Sequence, residues 1–145
     1  MVLRKSLAMP VGIDTSVLIA AEKHGRIEQL LPSEEGPFYI PALAATEFLV
    51  GIHPPVRADL RRRATDLYNS QFRFMVSAFS ESDAAQFAAL IAELKTKGQQ
   101  MKFFDAAGIA ATVLARGDKL LVFDSDFDRL KDRIKLLRPS ENPSA

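Results

Sequence analysis

"VGIDTSVLIA", residues 11–20, decides how the rest of the chain is read. Val11–Asp14 reads as a short buried strand that ends on Asp14, followed at once by Thr15 and Ser16. A carboxylate at the end of a core strand is costly to desolvate unless something offsets the cost. Backbone N–H groups, a basic side chain or a metal ion would each serve. Helical character follows as far as Gly25, which places Asp14 at a strand-to-helix turn.

Outward from that turn, strands alternate with helices. "FYIP" (38–41) predicts a second strand and "ALAATEFLVGI" a helix after it, ended near Pro54 and Pro55. Val56 to Asn69 reads as a helix with a polar, basic face. "FRFMVSAF" (72–79) predicts a third strand. "SESD" (80–83) fits a capping box that opens an amphipathic helix running to Gly98. "FFDAAGIAATVLARG" (103–117) is an almost wholly apolar helix. "KLLVFD" (119–124) predicts a fourth strand, "SDFDRL" a short helix and "RIKLLRP" (133–139) a fifth strand. This alternation, with continuously apolar strands, argues for a parallel sheet covered by helices on both faces. Ligands bind such sheets at the carboxyl ends of strands, where Asp14 and Asp124 both stand.

Composition narrows the class. With 145 residues and neither repeats nor linkers, one domain over 1–145 is expected, with residues 1–8 and 140–145 loosely ordered. The net charge of +1, from 19 basic and 18 acidic side chains, neither favours nor disfavours nucleic acid. The absence of Cys excludes disulfides and thiolate metal sites. No apolar run approaches the ~18 residues of a membrane span. Pro10 and Asp14 interrupt the basic, apolar opening before it could serve as a signal peptide, so a cytoplasmic protein is expected. Met9 is a candidate alternative start.

Four further acids stand out. Glu47 shares a helical stripe with Leu43, Val50 and Gly51, so it faces protein or a cleft, with Arg61–Arg63 as candidate salt-bridge partners. Asp105 opens an apolar helix, where an N-cap is the competing role. Asp124 and Asp126 flank Ser125 after the fourth strand. Ser125-x-x-Asp128 matches a capping box, which suffices for Asp128. Asp14, Glu47, Asp105 and Asp124 are expected to converge at one sheet edge. Four carboxylates so placed need a cation to stay ionised. An oxygen-only, thiol-free set suits Mg²⁺ or Mn²⁺ rather than Zn²⁺. Such ions activate water and stabilise charge on a phosphoryl group.

"VGIDTSVLIA", "PALAATEFLVGI", "FFDAAGIAA" and "LLVFDSDFDRL" together resemble the acidic motifs of PIN-domain ribonucleases, and more narrowly the VapC toxins of type II toxin–antitoxin modules. The resemblance spans about residues 11–138 in the expected order. It implies a three-layer α/β/α sandwich with a mostly parallel sheet, and Mg²⁺-dependent RNA endonuclease activity. It also implies a homodimer neutralised by a cognate VapB-type antitoxin. By residue it makes Asp14, Glu47, Asp105 and Asp124 catalytic and metal-binding, with Asp126 a fifth metal ligand. One departure is Val122, where the family usually has Thr or Ser; Thr15 or Ser125 would have to supply that hydroxyl.

Basic residues cluster at Arg57, Arg61, Arg62 and Arg63, and again at Arg129, Lys131, Arg133, Lys135 and Arg138. Phosphate contacts or a solvated helix face account for them equally. His24 and His53 lack any catalytic context and read as surface residues. A dehalogenase-type phosphatase and a phospho-signalling receiver are weaker alternatives, since only 21 residues follow Asp124 and the receiver's paired acids and Lys are not evident. A PIN-fold protein that binds RNA or a partner without cutting is the remaining one.

Overall fold

The computed structural model describes residues 9–53, 56–99 and 104–140, apart from the side chains of Phe104 and Asp105. The expected loose ends, 1–8 and 141–145, lie outside the described residues. Ser140, placed in the loose tail by the sequence, is instead tied in, its N–H donating to the Leu30 carbonyl at 3.1 Å.

Five strands, β1 (Val11–Ile13), β2 (Phe38–Pro41), β3 (Val76–Ser77), β4 (Lys119–Leu121) and β5 (Leu136–Leu137), form one sheet in the order β3-β2-β1-β4-β5. Every pairing is parallel. This order differs from the 2-1-3-4-5 of flavodoxin-like sheets, which include the receiver domains. The chain moves outward from β1 through β2 to β3, then crosses to β4 on the other side of β1. With right-handed crossovers, that reversal puts helices on both faces of the sheet. The three-layer α/β/α expectation is met. Val11, Ile13, Ile40, Leu120, Leu121 and Val122 are fully buried, as strands covered on both faces require.

The helices are α1 (Thr15–His24), α2 (Ala42–Gly51), α3 (Ala58–Leu67), α4 (Glu81–Thr96) and α5 (Phe104–Arg116). Gly25 ends α1 in the left-handed region, with φ 77°, and its N–H returns to the Ala21 carbonyl. Ser80 and Asp83 form the expected reciprocal capping box on α4. At Gly108 a Cβ would collide with Leu43 Cδ1, so glycine is what lets α5 approach α2. These two helices carry Asp105 and Glu47.

Two local readings need correction. The third strand covers only Val76–Ser77, because Tyr68–Phe72 continues α3 as a π-helical stretch and Arg73–Met75 is a 3-10 turn. Tyr68 and Phe72 are four apart, a helical spacing, and both pack against Phe48. Phe72 meets the Phe48 ring edge-on at 5.2 Å. The second correction concerns the 3-10 helix Ser125–Leu130. Its cap is Asp124, not Ser125, and Asp128 is engaged instead by Arg138.

Candidate active site at the carboxyl edge of the sheet

Asp14 leaves the end of β1 and becomes the N-cap of α1. Its Oδ2 accepts from the Ser16 N–H at 2.9 Å and from the Ser16 hydroxyl at 2.6 Å. The partner demanded by a strand-ending carboxylate is therefore partly local. It does not compensate fully. Asp14 is only 4% exposed, and burial pushes its carboxyl above the usual Asp range despite the Ser16 bonds; the nearby Glu47 charge adds to the rise. Such a carboxylate is stabilised by a proton or a cation.

Glu47 lies half-buried on α2. Its Oε1 accepts from the Thr15 hydroxyl at 2.6 Å, which joins the first turn of α1 to α2. Among the described residues it forms no ion pair with Arg61, Arg62 or Arg63, so the salt-bridge reading fails. Arg61 instead donates to the Val56 carbonyl.

Asp124 reaches the same edge from the neighbouring strand. β1 and β4 pair in register, Ile13 opposite Leu121, and the Asp14 N–H donates to the Leu121 carbonyl at 2.9 Å. Ser16 Oγ then accepts from the Phe123 N–H at 3.1 Å, so one hydroxyl links the Asp14 carboxylate to the residue preceding Asp124. Asp124 itself is exposed, and its Oδ1 accepts from the Asp126 N–H at 2.8 Å. Asp126 pairs with Arg129 at 3.3 Å. Asp105 is the second residue of α5, inside the helix rather than at its cap, and its side chain lies outside the described residues. Asp14 and Glu47 are thus brought close, and Asp124 shares their edge. Among the described residues no three acids gather tightly enough to form a metal cluster.

Val122 is fully buried in the core, so a side chain there packs rather than reaching the edge. Hydroxyls come from Thr15 to Glu47 and from Ser16 to Asp14. The sequence reading missed Ser16. Its signal was available, since Ser two residues after an N-cap Asp is well placed to bond it. The oxygen-only donors of this edge, one of them held in a poorly solvated carboxylate, fit a hard divalent cation. Beside Glu47, a mostly apolar cleft of about 310 Å³ opens between α1, α2 and α3, lined by Ile19, Phe48, Val56, Leu60 and Ala64.

Many of the clustered cations are engaged within the chain. Arg57 pairs with Asp59, Arg133 with Glu93, and Arg138 with Asp128. Arg62 and Arg63 remain exposed on α3, as do His24 and His53 elsewhere.

The acids stand at the carboxyl ends of the adjacent strands β1 and β4, on either side of the point where strand order reverses, which is where open α/β sheets bind ligands. The chain belongs to the PIN domain family, which it matches over residues 11–133. No curated protein matches it. Solved structures share the fold at low identity. VapBC2 from Rickettsia felis, bound to a DNA fragment from their promoter, has a TM-score of 0.71 and 17% identity, covering 91% of this chain and 100% of that one. VapBC-5 from Mycobacterium tuberculosis, of the VapBC family of toxin–antitoxin systems, has a TM-score of 0.69 and 21% identity, covering 90% and 97%. FitAcB from Neisseria gonorrhoeae follows at 0.64 and 18%, covering 88% and 96%. Among the described residues no helix is long and apolar enough to cross a membrane.

Proposed function

We propose that this chain is a divalent-metal-dependent RNA endonuclease, the VapC-type toxin of a type II toxin–antitoxin pair, acting in the cytoplasm. The observation that carries the reading is the Asp14–Glu47 juxtaposition, in which a buried carboxylate with a raised pKa stands beside a second acid at the sheet's ligand-binding edge. Asp14, Glu47, Asp105 and Asp124 would hold Mg²⁺ or Mn²⁺, with Asp126 alongside. Such an ion, when bound, would supply Lewis-acid polarisation of the scissile phosphate and a more nucleophilic water. The chain's own part is orientation. Ser16 fixes the Asp14 carboxylate, Thr15 fixes Glu47, and Asp124 stays exposed at the same edge, where substrate could reach it. Arg62 and Arg63 are available for the phosphate backbone.

The apolar cleft with Glu47 at its rim suits an antitoxin segment that carries apolar side chains and a basic one. Exposed apolar residues on the early helices, Val50 foremost, support a homodimer. The test is incubation of purified protein with total cellular RNA in Mg²⁺ and in EDTA, followed by mapping of cleaved ends. Discrete cuts in Mg²⁺ alone are expected; cuts that persist in EDTA overturn the metal mechanism. A second reading is a PIN-fold protein that binds RNA or a partner without cutting. It predicts RNA or antitoxin binding with no cleavage in either buffer.

A further inference from the structure

Phe123 stands between β4 and Asp124, and the residue is 46% exposed although its backbone is held from both sides. Its N–H donates to Ser16 Oγ at 3.1 Å. The preceding Val122 carbonyl accepts from Arg138 Nη1 at 2.8 Å, and the following Asp124 is fixed by its bond from the Asp126 N–H. The Ser16 hydroxyl that receives Phe123 is the one that donates to Asp14. An exposed aromatic residue is thereby coupled through one hydroxyl to the buried acid of the site.

Isolated exposed apolar side chains are ordinary and call for no explanation. Phe123 differs in place and in support. Phe74 is more exposed, at 81%, but precedes β3 and so lies on the amino side of the sheet. Phe79 follows β3 but packs edge-on against Phe87. Phe123 follows β4, the neighbour of the central strand β1, at the reversal of strand order and immediately before a candidate ligand of the metal. A ring on a fixed backbone has only two side-chain torsions to order when it makes a contact.

We propose that Phe123 is a stacking platform for an unpaired nucleobase flanking the phosphodiester at the Asp14–Glu47–Asp124 edge. This rests on the nuclease reading above. Every base presents a π face, so such a platform positions substrate without reading sequence, and it selects single-stranded over paired RNA because pairing leaves the faces stacked within the duplex.

The chain has no Trp, so Phe123→Trp creates a single-tryptophan reporter. The probe is a single-stranded RNA of about 12 nucleotides, within the usual span of such sites. It is titrated with Mg²⁺ present into Phe123→Trp in a Glu47→Gln background to suppress cleavage, and compared with the same strand carrying abasic positions. Quenching by the intact strand and not by the abasic one is expected. Phe123→Ala should bind ~5–100-fold more weakly, with Phe123→Tyr close to wild type. In the otherwise wild-type chain Phe123→Ala should raise KM more than it lowers kcat, with unchanged thermal unfolding. Equal quenching by both strands, or wild-type KM and affinity in Phe123→Ala, overturns the proposal while leaving the nuclease reading intact. Loss of antitoxin binding with RNA binding preserved also overturns it and gives the ring to the protein partner. A wild-type chain that neither binds nor cleaves RNA overturns the nuclease reading and this proposal together.

Discussion

The Thr15 hydroxyl donates to the Glu47 carboxylate at 2.6 Å, spanning 32 residues of sequence to tie the turn after β1 to the helix after β2. Thr15 is nearly as buried as Asp14, so this bond forms in a poorly solvated setting where a charged acceptor gains most from it. Hydrogen bonds to charged groups contribute roughly 1.5–3 kcal/mol. Thr15→Val keeps the shape and removes the donor. Cleavage by this variant should fall about 10–100-fold, with little change in circular dichroism, if that energy holds Glu47 in its working position. Wild-type rates in Thr15→Val would deprive the bond of any role in activity.

Asp14→Asn separates the capping role of this residue from its charge. Asn retains an oxygen to accept from Ser16, so the cap survives. The folded-state pKa of Asp14 is raised, so its contribution to metal-free stability is greatest below the ordinary Asp range. That contribution is lost as pH rises from about 3.9 through the elevated folded value. Asn does not titrate. In EDTA at neutral pH, Asp14→Asn should therefore melt at or above the wild-type temperature, and its advantage should shrink on acidification. Early melting of Asp14→Asn at neutral pH would show that the charge stabilises the fold.

Away from the site, Asp83 and Arg116 tie the loop after β3 to the end of α5. Asp83 is 1% exposed, and its Oδ2 accepts from the Ser80 N–H and from Arg116 Nη2 at 3.1 Å. Arg116 also donates to Ser77 and Ala78 and lies 4.9 Å above the Tyr39 ring. Asp83→Ala removes half a capping box and one ion-pair partner, but Arg116 keeps its other contacts. The expected loss is about 2–3 kcal/mol, below the cost of stranding a fully buried charge. Urea unfolding measures it; a loss near zero would make the pair dispensable.

The sheet, and the position of two acids at its carboxyl edge, were legible because they rest on short-range signals. The strands read over 11–14, 38–41 and 119–124 form over Val11–Ile13, Phe38–Pro41 and Lys119–Leu121, and the acids at 14 and 124 close the two sequence runs that carry them. What failed was decided by partners distant in sequence. "FRFMV" has the composition of a strand, yet Phe72 belongs to a helical turn because Phe48, 24 positions earlier, receives it. Ser125 carries a capping signature, but Arg138 claims Asp128 and leaves the cap to Asp124. For Glu47 the arginines at 61–63 were only the alternative to a site role, and the side chain that reaches it is a threonine on another helix.

Gly12 marks where β1 meets α5. A Cβ there would lie 2.7 Å from Val113 Cγ1, a fully buried β-branched side chain with little room to move. Gly12→Ala should cost about 1–3 kcal/mol through overpacking next to the strand that presents Asp14. Its thermal midpoint, compared with that of Gly51→Ala, where a Cβ meets nothing within 4 Å, isolates the close approach from general glycine effects. Equal midpoints would contradict it.

On the proposed reading, the carboxyl-edge acids hold a divalent cation. Calorimetric titration of the purified chain with Mn²⁺ tests it most directly, with wild type, Asp14→Asn and Glu47→Gln measured side by side. Saturable binding to wild type is expected, with a loss of at least about tenfold in affinity in each variant, the scale of removing one charged ligand from a hard-cation site. Mn²⁺ binding of equal affinity in all three proteins would contradict it.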